Sequence, residues 1–254
     1  MPMDQDKLGI SLTHSAYERL RAELLSGRLQ PGERLKITDL CEALSVSLSA
    51  VREALSRLTS EGLVIASPHR GFSAAPVSAT DLNDLTEARV KIEGLCLKQA
   101  IEAGGVEWET RIVAAYHQLS RTPERAPDDP GRLNDAWAAA HAAYHDALVS
   151  ACPNTWLLRL RDLLYAQSER YRHLSEAFSV TERNVESEHR NIKEAVLARN
   201  ADRVCELMAT HIRLTTKLLL SGRLASMFYS SSAEKPIRQK PGIRRRRPAI
   251  AKRP

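Results

Sequence analysis

From residue 79 to residue 228 the apolar side chains return every three or four positions, with no run that alternates as a strand does. Leu82, Leu85, Val90, Ile92 and Leu97 support one long helix, which closes at Gly104 and Gly105. "VEWETRIVAAYHQLS" reads as the next helix, and "RTPERAPDDPG" as the longest loop. Residues 132–151 read as a helix stopped by Pro153. "NTWLLRLRDLLYAQSERYRHLSEAF", "VTERNVESEHRNIKEAVLARN" and "ADRVCELMATHIRLTTKLLLSGRLASMF" follow with the same spacing. This segment is expected to be an all-α helical bundle. An aromatic content of 5% and only 11 glycines in 254 residues argue against an all-β alternative.

The segment before it, residues 14–76, has a different rhythm. "HSAYERLRAELLSG" places Tyr17, Leu20, Leu24 and Leu25 at helical spacing, and "LQPGERL" reads as a turn. "ITDLCEALSV" is a short helix with Leu40 and Leu44 inward. Ser47 or Ser49 can cap a third helix, in which Val51, Leu55 and Leu58 face inward and Gly62 marks the end. "LVIAS" and "FSAAPV" then read as strands around the tight turn "PHRG". Three helices followed by a small hairpin make a winged helix-turn-helix domain. The expected fold is therefore mainly α: an N-terminal winged helix-turn-helix domain, then the helical bundle. Residues 1–13 read as a flexible N-terminus.

The charge is unevenly placed. The chain carries a net +6, but residues 231–254 hold nine Lys or Arg against one Glu, which leaves −2 for everything else. This Pro-rich basic tail reads as disordered. It is either a solvated tail or a nonspecific attractor of nucleic-acid phosphate. Residues 14–76 are barely basic, with eight Lys or Arg and seven acids, so DNA binding by this domain calls for dimerisation or for charge borrowed from the tail. Cys41, Cys96, Cys152 and Cys205 are widely spaced, which fits neither a disulfide framework nor a paired-cysteine metal site and does fit a reducing cytoplasm. No secretory leader and no membrane span are expected.

"PGERLKITDLCEALSVSLSAVREALSRLTSEGLVIASPHRGFSAAPV" resembles the DNA-binding domain of GntR-family regulators. The matching elements are PGxxL, the "VREAL" run through "GLV", and the "RGF" wing. The resemblance implies a third helix that presents its N-terminal turn to the major groove of double-stranded operator DNA. The residues it brings forward are Thr38, Ser47, Leu48, Ser49 and Arg52, with His69, Arg70 and Gly71 at the wing. The family commonly has "SRTPVREAL" where this chain has "SLSAVREAL". Leu48 thus stands at the position of a guanine-reading arginine, and Ala50 at that of a proline. Leucine cannot offer guanine a bidentate fork, so base reading falls on Arg52. Arg52 also has a plainer reading, as a helix-surface partner of Glu53 or Ser56. Ser47 has one as a cap alone, and Thr38 shares that doubt.

The histidines form a pattern of their own. In "AWAAAHAAYHDAL" His141 and His145 lie four residues apart on a face shared with Trp137, Tyr144 and Leu148. Val185, His189, Ile192 and Val196 make one inward stripe, and Val204, Leu207, His211, Leu214 and Leu218 another. One histidine on an apolar stripe is ordinarily a hydrogen-bonded core residue. Four on three helices point instead to a shared partner, because unpaired buried imidazoles are costly. A divalent transition metal is that partner: zinc first, with nickel and other imidazole-binding metals also suitable. His14, His69, His117 and His173 lack the stripe placement.

This segment is also similar to the FCD domain, the effector domain of the FadR-type branch of the family. The likeness rests on "DLNDLTEARVKIEGLCLK", "HAAYHDALVSACPN", "EHRNIKEAVLARNADRV" and "HIRLT". The resemblance implies metal ligands at His145, His189 and His211, with His141 where metal-binding members have an aspartate. The site is then all-nitrogen and more cationic, and should favour an anionic effector. A small organic acid beside the metal is implied, with Arg89 as a carboxylate clamp or, equally, as an ion-pair partner of Glu93 four residues on. Arg170 is a second effector candidate, or else an ordinary helix-face residue together with Tyr171. "LLRLRDLLYAQSERYRHLS" with the paired histidines resembles the branch whose repressor responds to glutarate, which suggests a dicarboxylate effector.

The leading expectation is a cytoplasmic, homodimeric, effector-responsive regulator, a repressor and not an enzyme. Two other classes stand beside it. A metal-dependent hydrolase needs a base, and none lies between His141 and His145. A nonspecific nucleic-acid-binding protein acting through its arginine tail would lose all DNA binding with residues 231–254.

Overall fold

The computed structural model describes residues 5–174 and 183–221. The basic tail over 231–254 lies outside the described residues, as do 222–228 of the expected last helix. The N-terminal domain runs α1 (Gln5–Leu25), β1 (Arg34–Leu35), α2 (Ile37–Leu44), α3 (Leu48–Ser60), β2 (Val64–Ser67) and β3 (Gly71–Ala74). Its core joins Leu20 and Leu24 of α1 to Val51, Leu55 and Leu58 of α3, with Leu40, Leu44 and Leu63 around them. Residues 5–13, expected to be flexible, belong to α1. Once the turn carrying Ala16, Tyr17 and Leu20 is anchored in the core, each further helical residue adds a hydrogen bond at little cost.

Between α2 and α3 the chain turns through Ser45 in the left-handed region (φ 56°), and Ser47 then takes an extended conformation. The Ser47 hydroxyl accepts from the Ala50 amide at 3.3 Å, so Ser47 rather than Ser49 caps α3. Gly62, with φ 73°, releases the chain into β2. The wing pairs Val64 with Ala74 and Ser67 with Gly71. Its turn holds His69 and Gly71 at positive φ, which points His69 and Arg70 into solvent. A third strand is new. The "LQPGERL" turn contains β1, which pairs Arg34 with Ser73 and Leu35 with Phe72 on the free edge of β3.

The second domain comprises α4 (Ala79–Ala103), α5 (Val106–Arg121), β4 (Arg125–Ala126), β5 (Asp129–Leu133), α6 (Asp135–Val149), α7 (Thr155–Leu174), α8 (Val185–Leu197) and α9 (Ala201–Ser221). The helical bundle is as expected, with one change at its long loop. The long loop closes as a hairpin that pairs Arg125 with Leu133. Asn134 ties it down: its amide donates to the Glu124 carbonyl, and its side chain caps α6 at Ala136. The core joins Trp108, Ile112, Tyr144, Leu148, Ile192, Val204 and Ile212. The inward face of α9 is rotated from the expected stripe. Met208, His211, Thr215 and Leu219 point in, while Leu214 is exposed. Among the described residues no helix is long and apolar enough to cross a membrane.

The C-terminal half of α7 joins the two domains. Gln167 donates to the Glu61 carbonyl at 2.6 Å, and Arg170 donates to the Ala75 carbonyl. The Tyr171 hydroxyl donates to Asp81 at 2.5 Å and accepts from the Ser78 amide at 3.3 Å. Leu174 packs so closely on Gly27 that a Cβ there would lie 2.7 Å from its methyl group. Beside these contacts an interdomain cleft of about 930 Å³ opens between Val64, Ile65, Leu85 and Leu164.

Candidate functional site

Residues Trp137, His141, Tyr144, His145 and Leu148 form the buried face of α6, as their spacing requires. From α8 comes His189 and from α9 His211, and all four histidines are between 2 and 4% exposed. One nitrogen of each lies within 4.8 Å of those of the others. Ring centroids are 4.4 Å apart for His141 and His145, 4.8 Å for His189 and His211, and 5.0 Å for His141 and His189. The structure thus gathers the whole predicted histidine set at one point.

Burial, reinforced by Arg172 and the neighbouring rings, holds His141 well below the ordinary imidazole range. Burial acts likewise on His145, His189 and His211. All four are neutral near pH 7, the form that ligates a metal. The hydrogen bonds then fix the tautomers. A guanidinium only donates, so Arg172 Nη1, at 3.1 Å, makes His141 Nδ1 an acceptor. The His141 proton is therefore on Nε2, which donates to His145 Nε2 at 3.1 Å. His211 Nδ1 donates to Glu188 at 2.8 Å, which frees its Nε2. Burial alone would raise Glu188, but hydrogen bonds from Arg183 and His211 outweigh it and hold the carboxyl at about 2. His189 Nε2 is buried without a hydrogen-bond partner among the described residues.

These features fit a metal. The 3.1 Å between His141 Nε2 and His145 Nε2 matches the about 3.3 Å expected between ligands of a tetrahedral ion bound at 2.0–2.1 Å. The orphaned nitrogen of His189 has no other satisfaction among the described residues, and the carboxylate behind His211 is the usual support of a ligating imidazole. Four imidazoles suit zinc, nickel, cobalt or copper, and not the oxygen-seeking cations.

A second polar group adjoins the histidines. Arg89 and Glu93 take core positions on α4 and are paired at 3.3 Å. Glu93 also accepts from Arg161 Nε at 3.2 Å. Arg89 Nη1 donates to Ser168 at 2.7 Å, while both arginines lie about 5 Å from the Tyr165 ring centre. Arg89 Nε and Arg161 Nη2 are buried with no hydrogen-bond partner among the described residues. Both arginines act electrostatically on His145, and Arg172 and Arg183 on His189. Arg170 lies apart from this group at the domain junction, where one Nη donates to the Ala75 carbonyl and its Nε is buried with no partner among the described residues. Arg172, two residues on, lies against His141 instead.

Sequence reading passed over Arg161, Tyr165, Arg172, Arg183 and Glu188. A signal for three of them exists. Arg161, Tyr165, Ser168 and Arg172 recur at helical spacing on one face of α7 and so form a polar stripe facing the polar slots Arg89 and Glu93 of α4.

On the DNA-binding domain Leu48, Ser49, Arg52, Glu53 and Ser56 form the exposed face of α3. Arg52 has no hydrogen bond or ion pair among the described residues, Glu53 and Ser56 included. Thr38 is exposed on α2 and hydrogen-bonds Asp39, and Ser47 and Ser49 bond each other at 2.9 Å.

Residues 12–73 match the description "Bacterial regulatory proteins, gntR family", and residues 84–214 match "FCD domain". The chain is 42% identical to the HTH-type transcriptional regulator BphR of Paraburkholderia xenovorans (strain LB400), over 80% of this chain and 82% of that one. It is 32% identical to the HTH-type transcriptional repressor GlaR of Escherichia coli (strain K12), over 77% and 90% respectively. Among solved structures the fold is similar to that of E. coli McbR/YncC, with a TM-score of 0.66 at 21% identity, covering 87% of this chain and 98% of that one.

Proposed function

Because the chain belongs to the gntR family of bacterial regulatory proteins and carries an FCD domain, it is a DNA-binding transcriptional regulator and not an enzyme, and we propose that it is a cytoplasmic repressor whose operator affinity is set by a small organic acid bound beside a metal in the helical domain. The observation that carries this reading is the convergence of four neutral, buried imidazoles from three helices next to buried arginines with unused N–H groups. The repressor sign is supported by the name of the relative GlaR.

His141, His145, His189 and His211 would hold the ion, zinc in the first instance, and it would supply Lewis-acid attraction for a carboxylate oxygen. None of the four ligands is anionic. Arg89, Arg161, Arg172 and Arg183 meet three carboxylates within the domain, Glu93, Glu169 and Glu188, while Asp146 and Asp162 reach Arg161 only from its solvent edge, and this interior balance favours a dicarboxylate such as glutarate. Arg89 Nε and Arg161 Nη2 are the donors suited to its second carboxylate.

Coupling to DNA runs along α7. Arg172 touches His141, while its neighbours Arg170 and Tyr171 hold the interdomain link at Ala75, Ser78 and Asp81. A His141 that ligates through Nε2 carries its proton on Nδ1, where Arg172 no longer finds an acceptor. Occupancy of the site would therefore release a side chain that directly follows the two linking α7 to the DNA-binding domain, and an effector that binds one arrangement better would shift the other. Operator DNA is met by α3 through Arg52, Leu48 and Ser49, with Ser47 and Thr38 near phosphate and His69, Arg70 and Gly71 at the wing.

The test is thermal melting of metal-loaded protein against mono- and dicarboxylates. A dicarboxylate is expected to raise the melting temperature, and chelation to abolish the rise. The same acid is expected to change operator affinity. No shift with any acid at full metal occupancy sinks the effector assignment.

Trp156, Leu160 and Leu163 project from one face of α7 at 69, 45 and 39% exposure, with Leu95 of the adjacent α4 also exposed. This apolar stripe suits the homodimer contact. Trp156→Asp combined with Leu160→Asp is expected to convert a dimer to a monomer in sedimentation velocity; an unchanged dimer would place the contact elsewhere.

A further inference from the structure

Leu48 is the first residue of α3, directly after its Ser47 cap, and it is 46% exposed. An exposed leucine taken singly needs no explanation. This one sits at the end of the helix that points toward bases, on the face shared with Arg52 one turn later and with Ser49 beside it. The inward side of the same helix is complete without it, being made by Ala50, Val51, Ala54, Leu55 and Leu58. Nothing in the fold requires an apolar side chain at this point.

In the major groove the polar edges of the bases offer leucine nothing. The apolar group displayed there is the C5-methyl of thymine. Pressing an exposed leucine onto that methyl removes apolar surface of both partners from water. Residues four apart on a helix have Cβ atoms about 5–6 Å apart, and base steps are about 3.4 Å apart, so Leu48 and Arg52 reach adjacent or next-adjacent base pairs. Arg52 has an unused fork suited to guanine O6 and N7.

We propose that Leu48 packs on the C5-methyl of one thymine in each operator half-site, one or two base steps from the guanine read by Arg52. The inference rests on the reading that the N-terminal turn of α3 enters the major groove, and it adds which base that turn selects.

Full-length protein is first used to select binding sites from a randomised DNA duplex. Each thymine of the selected site is then replaced in turn by deoxyuridine, which removes the methyl group and leaves base pairing intact. At one thymine per half-site the replacement is expected to weaken wild-type binding about fourfold, the value of one buried methyl-sized group. Leu48→Ala is expected to bind the thymine site more weakly and to be indifferent to deoxyuridine there. Leu48→Arg is expected to exchange the preference for guanine. Arg52→Ala should lose affinity and keep the deoxyuridine effect. A selected site with no uracil-sensitive thymine, or a sensitivity that survives in Leu48→Ala, overturns the proposal while the groove reading stands. A selected sequence preference untouched by any of the three variants overturns the groove reading, and the proposal with it.

Discussion

Replacing His189 and His211 together by alanine is expected to abolish stoichiometric metal binding. The two residues come from α8 and α9, and their loss leaves only His141 and His145, a single helical pair. Two imidazoles do not complete a tetrahedral site. Metal per chain, measured by elemental analysis after exhaustive dialysis, should fall from about one equivalent to near zero, and circular dichroism should confirm retained helix. A full equivalent in the double variant would make these imidazoles core residues only.

The same variant carries a second readout, the pH dependence of the metal-free protein. Burial holds all four folded-state imidazoles below the ordinary value of 6.5, whereas an unfolded chain titrates near it. The unfolded state thus binds more protons below pH 6.5, and stability must fall as pH drops through that point. Above it the four contribute no slope. Each buried imidazole adds up to about 1.4 kcal/mol per pH unit, so the double variant should show roughly half the wild-type slope between pH 6.5 and 5. Glu188, depressed to about 2, acts in a lower window: its stabilising contribution is present above 4.5 and is lost as pH falls toward 2.

Removing Glu93 is the second large effect. Its carboxylate is 1% exposed and lies between Arg89 and Arg161, which are 6 and 3% exposed. Asp146 and Asp162 also reach Arg161, but both are largely in solvent. Glu93→Ala leaves two buried guanidiniums facing each other without their shared counter-ion. It is expected to cost about 3–5 kcal/mol of unfolding free energy in urea titration of the metal-free protein. Combining Glu93→Leu with both Arg89→Met and Arg161→Met should recover much of that loss, because a well-packed apolar triad has no charge to compensate. A cost below about 1 kcal/mol for Glu93→Ala would mean that water or another group already screens the pair.

Legibility in the sequence followed the length of the signal. The stripes of α6 and α8 were readable because a helix repeats its face over several turns, and a histidine substituted into such a face stands out. β1 is two residues long and has no period to detect. Its pairing with β3 depends on residues nearly forty positions away. The β4–β5 hairpin was hidden by the Pro, Asp and Gly of its turn, which read equally as open loop. Arg170 and Arg172 could not be told apart, since both lie on the same stretch of helix and differ only in which neighbour they meet.

The order of the helices, the winged helix-turn-helix pattern and the four histidines were determined by the sequence alone, because each follows from local periodicity and capping chemistry. Tertiary structure decided the rest. It set Glu93 between two arginines, turned Arg170 to the DNA-binding domain and Arg172 to His141, and placed Glu188 behind His211. The physical reason is that a charged side chain is tolerated inside a protein only where a partner meets it, and these partners come from other helices far along the chain.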